Sequence, residues 1–141
     1  MADLNHSISE QLVLEFFSQV WTPPNNLDAI DELMTEDYVI TSGGKDITGR
    51  KAFKAWVKEF QTHLLDARTE SLEIFSNAAD DRVVSRWVCS GKNNGMLDQP
   101  GHSELVSFTG IAIWAVRNGK LARCWVERAA WELYQELRGK Q

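Results

Sequence analysis

The chain is 141 residues long, 43% hydrophobic and 25% charged, with a formal net charge of −5 at pH 7. That describes one domain of ordinary globular composition, large enough to bury a core without disulfide or metal staples. The acidic balance and scattered basic residues argue against nucleic acid, which needs clustered Lys and Arg, and no apolar run approaches the roughly 20 residues that span a bilayer.

The N-terminal residues carry no basic stretch followed by an apolar one, so no signal peptide is expected. Cys89 and Cys124 both fall in predicted strands and read as buried free thiols, which makes a reducing cytoplasm the expected compartment. His6, His63 and His102 are isolated, with no second histidine at ligand spacing, so a zinc site is not expected. Six tryptophans are many for this length. Tryptophan suits pocket walls and interfaces, though it also fills the core of a small curved fold.

Taken in chain order, Ser7 to Trp21 reads as a helix with an apolar stripe of Leu12, Phe16 and Val20. Ser7 and Glu10 stand at capping-box spacing. Thr22-Pro23-Pro24-Asn25-Asn26 ends it, and a short helix follows over 27–34. Tyr38 to Thr41 is a short strand and Ser42 to Lys45 a turn. Thr48 and Gly49 open a third helix whose apolar face is Phe53, Trp56, Val57, Phe60 and Leu64. Arg68 to Ser76 and Arg82 to Ser90 are strands about an Asp80-Asp81 turn, and 91–101 is a polar loop.

The C-terminal third carries the most information. A long apolar strand from Glu104 meets Asn118-Gly119, a pair that tolerates the positive φ of a tight hairpin, and a second strand of mixed aromatic and charged residues returns. A short helix over 131–137 closes the chain. Arg123, Trp125 and Glu127 alternate on one face of the returning strand. Such a face is unusual for a plain core strand and reads as a cavity wall.

The Gly-Arg-Lys-Ala-Phe start of the third helix, Asp-Arg-Val-Val-Ser-Arg-Trp, Val-Ser-Phe-Thr-Gly-Ile, the Asn-Gly-Lys-Leu hairpin and the closing Trp-Glu-Leu-Tyr-Gln-Glu-Leu together resemble the SnoaL-like polyketide cyclases. These belong to the nuclear-transport-factor-2-like superfamily. The resemblance spans about residues 7 to 139 and makes 1–141 a single SnoaL-like domain. It implies an α+β fold: a cone-shaped, curved antiparallel sheet wrapped around three N-terminal helices, with an internal cavity. It also implies a homodimer through the outer sheet face, and acid/base chemistry without cofactor or metal on a small hydrophobic, polyketide-like carbonyl compound. A binding protein for a small hydrophobic ligand is the alternative, because the fold does not by itself fix the activity.

An aldol-type closure needs a base beside a carbonyl and donors for the enolate. Where the resemblance sets the family's catalytic aspartate and histidine, this chain has Val126 and Ala112. Two further acid positions read Arg123 and Ala129. The aspartate of the related ketosteroid isomerases corresponds to Ser42. Glu127 is the nearest remaining carboxylate, either an acid/base group or the partner of Arg123, Arg128 or Arg86 at the sheet rim. Arg86 lies mid-strand, where an unpaired charge is costly, and either holds a substrate oxyanion or neutralises Glu127. His102 is a proton-shuttle candidate or a solvated loop residue. Tyr38, Trp56, Phe60, Trp87, Trp114, Trp125 and Arg123 complete the expected substrate-binding set, with the outer, dimer-facing side as the alternative for Trp114 and ordinary core for Trp56 and Phe60. The substrate-binding reading thus has a simple structural form: Glu127 and Arg86 sharing a cavity favour an enzyme, while a cavity without a carboxylate favours a binder.

Overall fold

Ser7, in extended backbone, accepts the Glu10 N–H with its hydroxyl at 3.0 Å and starts α1 (Ile8–Val20), as the capping pair predicts. These details come from a computed structural model that describes residues 5–139. Residues 1–4, part of the segment read for a leader, and the last two residues of the domain expected over 1–141 lie outside the described residues. After α1 come α2 (Ala29–Leu33), β1 (Met34–Ser42), β2 (Lys45–Thr48), α3 (Arg50–His63), β3 (Leu64–Ser76) and β4 (Arg82–Asn93). A single 3₁₀ turn, Met96–Asp98, interrupts the polar loop before β5 (Leu105–Arg117), β6 (Lys120–Arg128) and α4 (Ala130–Gly139).

The strands form one sheet in the order β2-β1-β6-β5-β4-β3, antiparallel throughout except where β1 lies parallel to β6. This is the expected α+β layout of N-terminal helices and a largely antiparallel sheet. One strand escaped the sequence reading. Gly43 and Gly44 have φ of 59° and 77°, which turns the chain back on itself and pairs Ile47 with Ile40. The stretch read as a plain turn is therefore a hairpin.

Alternation assigns the two faces of the sheet. On β5, Val106, Phe108, Gly110, Ala112 and Trp114 are buried, while Leu105, Ser107, Thr109, Ile111 and Ile113 are exposed. On β4, Val83, Ser85, Trp87 and Cys89 are buried and Arg82 and Arg86 are exposed. The inner set meets an aromatic cluster from the helices: Phe17 lies edge-on to Trp114 at 5.7 Å, and Phe60 contacts Trp21, Trp56 and Phe108 at 5.5, 5.3 and 6.4 Å between ring centres.

The β5–β6 hairpin contains the irregularity that decides which β6 residues join this interior. Asn118 and Gly119 take φ of 53° and 73° and pair Arg117 with Lys120, as their sequence requires. An unbroken ladder from that turn would set Trp114 opposite Arg123. Instead Val116 pairs with Leu121 and Ala115 with Arg123, so Ala122 is an extra residue and Trp114 faces Cys124. A single bulged residue inverts the parity of every β6 position beyond it. Cys124 and Val126 are consequently buried, and Trp125 and Glu127 are exposed.

Trp87 lies across the backbone of its cross-strand partner Gly110, where a Cβ would sit 2.3 Å from its ring. The glycine is needed for space and not for its dihedral freedom. Gly110→Ala should therefore destabilise the protein by about 1–3 kcal/mol, the usual range for overpacking. Urea unfolding measures this directly, and an unchanged midpoint would show that Trp87 has room to move.

Candidate functional site

Between the inner sheet face and helices α1 and α3 lies a cavity of about 50 Å³. Its walls are Phe16 and Phe17 of α1 with Trp21 at its end; Phe53, Trp56 and Phe60 of α3; and Tyr38, Ile40, Thr69, Trp87, Cys89, Phe108, Ala112, Trp114, Cys124, Val126 and Arg128 of the sheet. A water needs roughly 10–15 Å³ of such space, so the volume suits a few waters and is far below that of a drug-sized pocket. Trp56, Phe60, Thr69 and Arg128 are the partly exposed wall residues and mark its mouth.

The polar groups of the cavity fall at two levels. Tyr38 is fully buried, and Cys124 and Trp114 border its hydroxyl. Neither Tyr38 Oη nor Trp114 Nε1 completes a hydrogen bond of good geometry, although both are buried. Leaving such groups unmade costs about 1–3 kcal/mol each. At the mouth, Arg128 donates from Nη1 to Ser42 Oγ and lays its guanidinium over Trp56, 5.1 Å from the ring centre. Burial holds the Arg128 pKa below its ordinary value, with Cys124, Cys89, Tyr38 and Glu127 pulling the other way. Burial likewise pushes Tyr38 well above the usual phenol value and raises the thiols of Cys89 and Cys124 to about 11 and about 12. No carboxylate stands among the described residues that line the cavity.

Of the residues singled out from sequence, Tyr38, Trp56, Phe60, Trp87 and Trp114 line this cavity, Trp114 by its inward face. Glu127, Arg86, Trp125 and Arg123 do not, and the expectation that they form its wall is corrected. The bulge at Ala122 turns Glu127 and Trp125 to the outer face. There Arg86 Nε lies 3.3 Å from Glu73, and Arg86 and Glu127 border a shallow outer depression with Thr109 and Ile111. Arg123 stacks on Trp125 at 4.6 Å and donates to Thr41 Oγ1 at 2.7 Å. His102 is exposed in the loop before β5, where its backbone N–H donates to Glu104 at 3.1 Å. The loop is held by buried Asn93, which accepts from the N–H groups of Gly95 and Met96.

Sequence reasoning missed Arg128 and both thiols as cavity groups. From sequence Arg128 reads only as a partner for Glu127. The signal available was the alternate apolar set Cys124 and Val126, which leads to Arg128 two positions later. Among the described residues, no group of three or more His, Cys, Asp or Glu side chains is placed to hold a metal. No helix of the described residues is long and apolar enough to cross a membrane.

Residues 13–124 match the SnoaL-like domain family. The chain belongs to that family. Val126 and Ala112, near which the SnoaL-like resemblance sets a catalytic aspartate and histidine, both line the cavity and offer no titratable group there. Ser42, at the isomerase aspartate position, is occupied with Arg128.

A search of curated proteins finds no match. Solved structures do match over nearly the whole chain. A candidate polyketide cyclase from Acidithiobacillus ferrooxidans shares 18% identity and superposes with a TM-score of 0.85, covering 100% of both chains. A SnoaL-like polyketide cyclase from Agrobacterium tumefaciens has 14% identity and a TM-score of 0.76, over 94% of this chain and 99% of that one. AclR from Streptomyces galilaeus, a candidate hydroxylase, has 20% identity and a TM-score of 0.79, over 94% and 82%. At these identities the likeness establishes the fold. That cyclase and hydroxylase descriptions attach to one fold shows why activity must be argued from the site.

The raised thiol values yield a test of the interior. Cys89 and Cys124 ionise less readily folded than unfolded, so the stability they contribute is complete below the unfolded value of 9.0 and is lost as pH rises towards about 11 and 12. Unfolding free energy should fall above pH 9 by up to about 1.4 kcal/mol per pH unit for each thiol. Cys124→Ala should make the fall shallower in urea titrations at pH 8 and pH 10.5. An unaltered slope would place that thiol in water.

Proposed function

We propose that this SnoaL-like chain binds a small hydrophobic, polyketide-like carbonyl compound in the inner cavity, with Tyr38 and Trp114 donating to its oxygen. The observation that carries the reading is the pair of buried donors, Tyr38 Oη and Trp114 Nε1, that complete no hydrogen bond of good geometry, in a cavity lined mostly by rings and aliphatic carbon. A ligand carbonyl supplies the acceptor they lack, and the aromatic walls supply apolar contact. Cavity residues with raised pKa values are poor bases at neutral pH. This favours binding over a reaction driven by a carboxylate.

Tryptophan fluorescence with 2-acetylnaphthalene as the probe tests the reading. Wild type should bind it, and Tyr38→Phe should weaken binding about three- to tenfold, the loss of one neutral hydrogen bond. Equal affinity in the variant would remove Tyr38 from the site.

A second reading is cofactor-independent cyclase or isomerase-type chemistry, supported by the convergence of two donors with a nearby cation. In that arrangement solvent takes the proton beside the carbonyl, the C–H electron pair moves into the new C=C bond, and the enolate oxygen is held by Tyr38 and Trp114. Exchange of the methyl protons of 2-acetylnaphthalene with D₂O, followed by NMR, separates the two. Acceleration by wild type that is lost in Tyr38→Phe supports catalysis; binding with no acceleration supports the plain binder.

We also propose a homodimer through the outer sheet face. Phe75, Val84, Ile113 and Trp125 are cross-strand neighbours in one row over four strands, and Phe75, Ile113 and Trp125 are exposed. A second copy of the chain would cover this row. Light scattering should give twice the chain mass, and Ile113→Asp should halve it without lowering the helix content seen by circular dichroism. A monomeric wild type would exclude the dimer.

A further inference from the structure

Among the described residues, Arg128 is the one cation that lines the cavity, and no carboxylate lies within 4.0 Å of its guanidinium. Arg82, Arg86, Arg117 and Arg123 each meet a carboxylate within 4.0 Å. Arg128, whose pKa burial holds below its ordinary value, bonds only the neutral hydroxyl of Ser42 and the face of Trp56 among the described residues. Its sequence neighbour Glu127 points the other way, to the outer face. An uncompensated, desolvated charge is costly, and an anion that reaches it recovers much of that cost.

The placement of the donors sets a length. Tyr38 and Ser42 both face inward on β1, four residues and so roughly 13 Å of strand apart. Arg128 stands beside Ser42 at the mouth, and Trp114 beside Tyr38 at the floor. The space between them is bounded by flat rings.

From this we infer that the cavity's ligand is a small aromatic acid, whose carboxylate pairs with Arg128 at the mouth and whose far oxygen accepts from Tyr38 and Trp114. The inference rests on the binding reading above and adds the charge and length of the ligand. Planar, bidentate recognition of a carboxylate is what a guanidinium does better than any other side chain. One aromatic ring requires a cavity of about 150 Å³, so admission of such a ligand moves Trp56 or Phe60. Drawing Arg128 from the Trp56 face onto a carboxylate releases one of those rings.

The test compares 6-hydroxy-2-naphthoate with neutral 6-hydroxy-2-acetylnaphthalene, which matches it in shape, by calorimetry on the full-length protein at pH 7. Wild type should favour the acid by about tenfold or more, the gain of a charge-assisted pair. Arg128→Met should abolish the preference for acid over ketone, and Arg128→Lys should restore part of it. Equal affinity of wild type for acid and ketone would overturn the anionic ligand and leave the cavity reading standing. Binding of neither probe to wild type would overturn both. The comparison on wild type alone decides the question if Arg128→Met fails to fold.

Discussion

One extra residue on one strand determines what the cavity of this protein is made of. The Asn118-Gly119 turn starts the β5–β6 ladder in a fixed register, and Ala122 breaks it three positions later. Beyond the break, Cys124, Val126 and Arg128 point to the helices, and Trp125 and Glu127 point away. Because side chains alternate with a period of two, no intermediate arrangement exists. An unbulged hairpin would have sent Arg123, Trp125 and Glu127 inside and Arg128 out. The contrast between a pocket with a carboxylate beside its arginine and one with an arginine alone therefore rests on a local backbone irregularity.

The interior that results is rich in donors and poor in acceptors. Tyr38, Trp114 and Arg128 all offer N–H or O–H groups, while burial keeps Cys89, Cys124 and Tyr38 in their neutral forms at physiological pH. Such a lining is complementary to oxygen, and to negative oxygen above all. It lacks a group that would take a proton at pH 7. Val126 and Ala112 add hydrocarbon to the cavity wall, which supplies apolar contact there.

Packing sets the second limit. The rings of Trp21, Trp56, Phe60, Phe108 and Trp87 form a continuous chain of contacts 5.3–6.4 Å apart, and Gly110 gives Trp87 the room to lie flat against the sheet. Each buried ring contributes on the order of 1.5–3 kcal/mol. The same rings reduce the cavity to about 50 Å³. Stability and ligand access thus draw on the same side chains, and the partly exposed Trp56 and Phe60 are the ones that can yield with least loss of burial.

The sequence by itself determined the features that depend on local chemistry. Ser7 and Glu10 specify a helix start because a hydroxyl at the cap satisfies a free N–H. Asn118-Gly119 specifies a hairpin because those residues accept positive φ. The spacing of Phe53, Trp56 and Phe60 specifies a helix face directed at a core, and the motifs about them carried the resemblance to the SnoaL-like fold. Which face of β6 turns inward was not written in any such local signal. Both alternating sets hold one arginine and at least one large or apolar residue, so Arg123, Trp125 and Glu127 were as plausible a wall as Cys124, Val126 and Arg128. Only the assembled sheet resolved it, because the bulge at Ala122 is settled by how β6 pairs with β5 on one side and β1 on the other while its apolar set packs under the helices. The identity of the cavity cation was therefore a decision of tertiary structure.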